Sequence, residues 1–162
     1  MAYCPIVGTL GYVLSPDRER VLMVHRVFRD DDDHQGKYNG LGGHLEPGED
    51  IASCMVREVR EEAGIECTRM TLRGTVNWND FGPAAENWLG FVFLIERFTG
   101  NPFGENEDGP LEWVDRETLE TLPMWQGDRL FLPLVFDADP RPFHGYMRYK
   151  GEKPVAWSYV RI

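Results

Sequence analysis

An α/β sandwich around a mixed β-sheet is the fold that this 162-residue chain predicts. Three observations point to it. Short apolar runs rich in Val, Ile, Leu and aromatic residues recur along the chain. Two longer stretches instead carry apolar residues at helical spacing. The strands lie on both sides of these stretches, so one sheet must be covered by helices. The length suits one domain, residues 1–162, with a substantial core.

Residues 3–14 and 21–26 read as strands joined by the turn signal Ser15-Pro16-Asp17. The run Arg29-Asp30-Asp31-Asp32-Asp33-His34-Gln35-Gly36 follows. Contiguous aspartates in a polar stretch usually form a mobile, solvated loop, and that is the expectation here, in preference to a second metal site. Residues 38–45 contain the paired glycines Gly42 and Gly43. Asp50 then stands where a helix N-cap belongs. Ala52, Met55, Val56, Val59 and Ala63 form a helical stripe to bury, and Gly64 suits the C′ stop. Segments 68–78 and 87–98 read as strands around a loop at 79–83. Another strand is expected at 111–114, followed by a short helix capped by Asp115 and running toward Leu122. A second long helix spans 127–137, with Leu130, Leu134 and Val135 inward and Pro133 inside it. Strands at 143–149 and 155–161 complete the chain.

Glu58, Glu61 and Glu62 stand at i, i+3 and i+4, so they share one helix face. Like-charge pairs at this spacing each weaken a helix by about 0.2–0.5 kcal/mol. Three glutamates alone are most often a solvated face. A hard divalent cation would offset their repulsion, because all-oxygen ligands suit Mg²⁺ or Mn²⁺.

The wider spacing, from Gly43 through Glu49 to Arg57-Glu58-Val59-Arg60-Glu61-Glu62-Ala63-Gly64-Ile65, reads G-x5-E-x7-R-E-U-x-E-E-x-G-U, where U is a bulky aliphatic residue. It resembles the Nudix box at every defined position. The resemblance implies a Nudix α/β/α sandwich and metal-dependent hydrolysis of a nucleoside diphosphate linked to another group. It further implies Glu58 and Glu62 as principal metal ligands, Glu61 beside them and the Gly42 carbonyl as a backbone ligand. Arg57 would pair with Glu49 and orient the cluster. Glu58 is the first choice for the catalytic base and Glu61 the next. A further ligand is expected from the loop before residue 111, either Glu107 or Asp108.

Residues 37–43, Lys-Tyr-Asn-Gly-Leu-Gly-Gly, resemble the approach to the box in MutT-type enzymes that remove oxidised purine nucleoside triphosphates. Residues 123–128, 131–134 and 142–146 are similar to the same group, particularly to its vertebrate members. The resemblance implies a purine site containing Asn39, Trp125 and Asp128. An amide can read a base edge, an indole can stack on the base, and a carboxyl can accept, or donate when protonated. Gly43 and Arg26 complete the substrate-binding candidates. In one departure, Gly127 stands where those vertebrate enzymes carry the first of two aspartates. Trp78, Trp88 and Phe91 are further candidates to line the pocket. The implied reaction converts 8-oxo-dGTP or a related nucleotide to the monophosphate and pyrophosphate. A dinucleoside polyphosphate, ADP-ribose or a pterin triphosphate remains an alternative substrate, and a non-catalytic nucleotide-binding domain a third reading.

Net charge is −10, which argues against polymeric nucleic acid as the main partner. The exception is residues 141–162, where Arg141, Arg148, Lys150, Lys153 and Arg161 face only Glu152. Cys4, Cys54 and Cys67 show neither disulfide nor metal-ligand spacing, so a reducing, cytoplasmic setting is expected. The apolar start lacks a basic leader and is broken by Gly8 and Gly11, so it reads as a strand and not as a signal peptide. No segment is long enough to span a membrane. A small nucleotide is the expected partner, and the protein is expected to be a monomer or homodimer.

Overall fold

The computed structural model describes all of residues 1–162. Nine strands form one mixed sheet, β1 (Ile6–Leu14), β2 (Arg20–His25), β3 (Tyr38–Asn39), β4 (Leu41–His44), β5 (Glu66–Phe81), β6 (Glu86–Thr99), β7 (Leu111–Asp115), β8 (Phe143–Lys150) and β9 (Lys153–Arg161). The order along the main path is β3-β2-β1-β6-β5-β8-β9. β4 pairs with β1 and β7 with β2 beside that path. The β1–β6 and β5–β8 pairs are parallel and the rest antiparallel.

Alternation along the central strands sends side chains to two separate cores. Tyr12, Leu14, Val21, Met23, Val92 and Leu94 join one cluster; Val13, Leu22, Val24, Phe93 and Ile95 join the other. Helix α1 (Ile51–Ala63) covers the second face with Met55, Val59 and Ala63. Helix α2 (Asp128–Phe136) covers the first with Phe131, Leu132 and Val135. Strands buried on both faces read as continuous apolar runs, which is why β2 and β6 look as they do in sequence. The result is the expected α/β/α sandwich.

Helix α1 begins and ends as its sequence dictates. The Asp50 carboxylate accepts from the Ser53 amide and hydroxyl, each at 2.8 Å. Gly64 takes φ +71° and donates its N–H to the Arg60 carbonyl, closing the helix in a left-handed turn.

Other expectations shift. The segment after Asp115 is a 3-10 helix, Arg116–Thr121, and the Asp115 side chain makes no cap bond. In α2, Leu130 points outward while Phe131 and Leu132 are buried. Pro133 lies inside the helix. The α2 carboxyl end is held by arginines from the sheet. Buried Arg73 on β5 donates to the carbonyls of Leu134, Val135 and Asp139, and Arg161 on β9 also reaches the Leu134 carbonyl. No helix is long and apolar enough to cross a membrane.

Candidate active site

The paired glycines of β4 bring the sheet against the glutamate face of α1. A Cβ on Gly42 would run into the Thr9 carbonyl of β1, and one on Gly43 would stand 2.5 Å from the Glu58 carboxyl carbon. The backbone contact makes glycine necessary at Gly42, whereas a side chain at Gly43 would have to displace the Glu58 carboxylate. The Gly42 N–H donates to Glu62 Oε2 at 3.1 Å. Desolvation raises the Glu62 carboxyl to about 8, and the nearby Glu58 charge adds to the shift.

Arg57 ties the loop to the helix. Its Nε and Nη2 grip Glu49 at 3.0 and 2.7 Å, and Nη2 also donates to the His44 carbonyl at 3.0 Å. Its Nη1 reaches Glu58 at 2.7 Å and the exposed Glu61 at 3.2 Å. Hydrogen bonds from Arg57 and from the Glu46 amide hold the Glu49 carboxyl down at about 2.

The donors at this helix face are all oxygens, and the Glu62 carboxyl stays raised despite its one backbone N–H donor, so the residues fit a hard divalent cation. No three acidic, His or Cys side chains yet converge on one point. Glu58 and Glu61 are instead both held by Arg57.

The loop before β7 separates the two acidic candidates. Glu107 is exposed. Asp108 is buried, 3.2 Å from Arg29 and 3.6 Å from Arg26. Asn106 anchors this loop: its Nδ2 donates to the Glu62 carbonyl at 3.3 Å, and its Oδ1 accepts from the Asp108 amide at 2.9 Å. An asparagine among acidic neighbours carries no sequence signal for such a role.

A cavity of about 280 Å³ opens beside these groups. Gly42, Gly43, Glu62 and Arg26 line it together with Asn39, Trp125 and Asp128. Trp78 and Trp88 also line it, whereas Phe91 packs against the α1-side core. Burial raises the Asp128 carboxyl, at the first turn of α2, to about 7. Trp125 is buried between Phe81, Tyr149 and the ring of His34, with Lys37 Nζ 4.4 Å from its ring centroid.

Sequence reasoning missed His34 and Phe81. Both fall in segments that read as loops, yet both reach the cavity. The 29–36 loop is not the freely solvated segment expected. Asp30, Asp31 and Asp33 are exposed, but Asp32 turns in to accept from Arg26 Nε at 2.6 Å and from the His34 amide at 3.0 Å. An arginine closing a strand six residues upstream was the one available hint.

The NUDIX domain family model matches residues 5–135. Over 142 residues the chain is 32% identical to the uncharacterized Nudix hydrolase YvcI of Bacillus subtilis, covering 86% of this chain and 85% of that protein. Over 143 residues it is 29% identical to the oxidized purine nucleoside triphosphate hydrolase of Danio rerio, covering 88% and 86%. In fold it is similar to the MutT protein from Bacillus halodurans, with a TM-score of 0.80 at 24% identity over 95% of this chain and 97% of that one.

Proposed function

This chain belongs to the Nudix hydrolase family, and we propose that within it the protein is a nucleoside triphosphate pyrophosphohydrolase acting on oxidised purine nucleotides such as 8-oxo-dGTP. One observation carries the reading: Glu62 of the glutamate face, the paired glycines Gly42 and Gly43 and the base-reading candidates Asn39, Trp125 and Asp128 share the wall of a single cavity. A triphosphate at Gly43 and Glu62 would have its base within reach of the aromatic end. The 29% identity to a relative named for oxidised purine nucleotides supports the same substrate class.

Glu58, Glu61, Glu62 and the Gly42 carbonyl would hold Mg²⁺ or Mn²⁺, with Asp108, the buried one of the two loop candidates, as the further ligand. That ion supplies charge neutralisation on the phosphates and a more acidic water. Glu58, seated over Gly43, takes the proton from the attacking water. Arg57, anchored on Glu49, orients Glu58 and Glu61. Arg26 faces the cavity beside Glu62 and offers a cation to the polyphosphate once it turns from Asp32. Water adds at the β-phosphorus, the bond from the bridging oxygen to that phosphorus breaks, and the monophosphate departs. Asn39 and Asp128 read the base edge while Trp125 offers a ring to it. We also infer that the protein is a single domain in the reducing cytoplasm, as a monomer or homodimer; its three cysteines are free.

Phosphorus NMR of the products from 8-oxo-dGTP, 2-hydroxy-dATP, dGTP, ADP-ribose and diadenosine polyphosphates in ¹⁸O-water tests the reading. The expected result is monophosphate plus labelled pyrophosphate, with the oxidised purines preferred. Label in the monophosphate would move attack to the α-phosphorus. Nucleoside diphosphate plus free phosphate would overturn the reaction, and preference for ADP-ribose or a dinucleotide would overturn the substrate.

A further inference from the structure

Two side chains assigned to the base site converge on a third that the family box does not contain. Trp125 Nε1 lies 2.7 Å from His34 Nδ1, and Asn39 Nδ2 lies 3.0 Å from the same nitrogen. An indole N–H can only donate, so Nδ1 must be the acceptor and the imidazole proton sits on Nε2. The Asn39 amide shares that single lone pair with the indole through its Nδ2, because its oxygen in the same place would be repelled by the ring nitrogen. Its Nδ2 faces the ring nitrogen, and its buried Oδ1 has no donor within the protein. His34 and Asn39 both line the cavity.

We propose that His34 is the positioning residue of the base site: as a neutral acceptor it locks the Trp125 ring and commits Asn39 to present its oxygen, so that the site selects a base edge carrying an N–H or NH₂ donor. This rests on the nucleotide reading above and deepens it.

The surroundings of His34 keep the ring neutral. Burial is the largest influence and Arg26 the next, and together with Lys37 they outweigh the opposing Asp32 and Asp33, so the ring's pKa falls to about 4. The ring is itself placed by the loop. Its backbone amide donates to Asp32 Oδ1, and Asp32 is gripped by Arg26. A chain of contacts thus runs from Arg26 at the phosphate side to Trp125 and Asn39 at the base side. The unpartnered Asn39 oxygen gives this chain its chemical consequence. A buried acceptor without a donor is costly, and a ligand that supplies one relieves that cost while a ligand that cannot leaves it in place.

The test compares His34→Phe, which keeps a ring but removes the acceptor, with His34→Gln, which keeps an acceptor on a flexible stem. Steady-state kinetics with dGTP, 8-oxo-dGTP and dATP give the KM and kcat split. Tryptophan-fluorescence titration with the corresponding monophosphates measures base binding without turnover. The ¹⁵N–¹H signal of the Trp125 indole reports the bond in the unmodified protein.

His34→Phe is expected to raise KM and monophosphate Kd for the best base by about tenfold or more, as loss of a well-placed buried hydrogen bond does. The preference between bases should narrow, and kcat should change far less than KM. His34→Gln is expected to recover most of that preference. An indole signal shifted downfield in the native protein, kept in the Gln variant and lost in the Phe variant, would establish the bond.

Base preference unchanged in His34→Phe would overturn the inference, as would an indole proton without the downfield shift in the native protein. A kcat loss without a KM change would overturn it too. Failure of the native protein to hydrolyse any triphosphate would overturn the functional reading instead. Monophosphate binding and the indole signal would still decide the role of His34.

Discussion

Gly43 and Glu58 occupy one space: a Cβ on the glycine would stand 2.5 Å from the glutamate's carboxyl carbon and oxygen. The glycine therefore sets where the carboxylate can sit, and Gly43→Ala must displace Glu58 from its seat. Activity is expected to fall by about a hundredfold, in keeping with the cost of misplacing a reacting group. The melting temperature should move little, because the displaced group is polar and can swing outward. Wild-type turnover in Gly43→Ala would mean that Glu58 acts from some other position.

Glu58→Gln and Glu62→Gln should each lower kcat by several orders of magnitude at saturating Mg²⁺, since charge neutralisation or proton transfer is lost. Circular dichroism and thermal melting should show an intact fold, and Glu62→Gln should be the more stable in metal-free buffer. Its carboxyl is pushed up to about 8 by desolvation, and an amide removes that burden. Near-normal turnover in either variant would dismiss the assignment.

Glu49 links pH to stability through Arg57. Its carboxyl stands at about 2, against an ordinary 4.5, chiefly through the Arg57 hydrogen bonds. A depressed carboxylate stabilises the fold above its unfolded pKa and loses that contribution as pH falls through its folded one. Glu49→Gln should therefore lower the urea midpoint by a constant amount from pH 7 down to about 4.5, with the gap closing as pH falls from there toward about 2. A gap that persists unchanged at pH 2 would assign the deficit to shape and not to charge.

The box was legible because its chemistry is local. Glutamates at i, i+3 and i+4 share a face whatever the tertiary fold, and Asp50 and Gly64 bound the helix through bonds to near neighbours. The two-layer burial was legible as well, since β2 and β6 alternate between cores on both faces. The half of the site outside the box was harder. His34 and Phe81 sit in segments with loop composition, and their contacts with Trp125, distant in the chain, carry no sequence signal. The burial of Asp108 and the exposure of Glu107 follow from the Asn106 anchor, which depends on a carbonyl in another element.

Arg73 shows a further dependence on distant contacts. It reaches from β5 to the last carbonyls of α2 and to the Asp137 carboxylate, which lies at 3.1 Å. Those carbonyls have no partner within the helix. Arg73→Met keeps the aliphatic stem and strands them, at a cost of about 2–4 kcal/mol. Chemical denaturation should show this loss, with the metal-saturated kcat reduced far less than the stability. A loss below about 0.5 kcal/mol would mean that Arg161, which also reaches the Leu134 carbonyl, caps the helix alone.

Asp128 is expected to combine a stability effect with a specificity effect. Burial raises its carboxyl from 3.8 to about 7, against a weaker pull from Arg129. With the folded value above the unfolded one, its contribution to stability is fully present below pH 3.8 and is lost as pH rises through about 7. Asp128→Asn removes that loss. The variant should match the native protein near pH 3.8, gain on it as pH rises, and hold a constant advantage above pH 7. Catalysis should pay for this gain: near neutrality the acid form of Asp128 donates to a base edge while the ionised form accepts, and an amide offers both at fixed positions. Its kcat/KM should therefore change unequally across dGTP, 8-oxo-dGTP and dATP, by about 5- to 100-fold for the most affected base. A uniform loss across all three, or a melting difference independent of pH, would make Asp128 a part of the α2 scaffold and not of the base site.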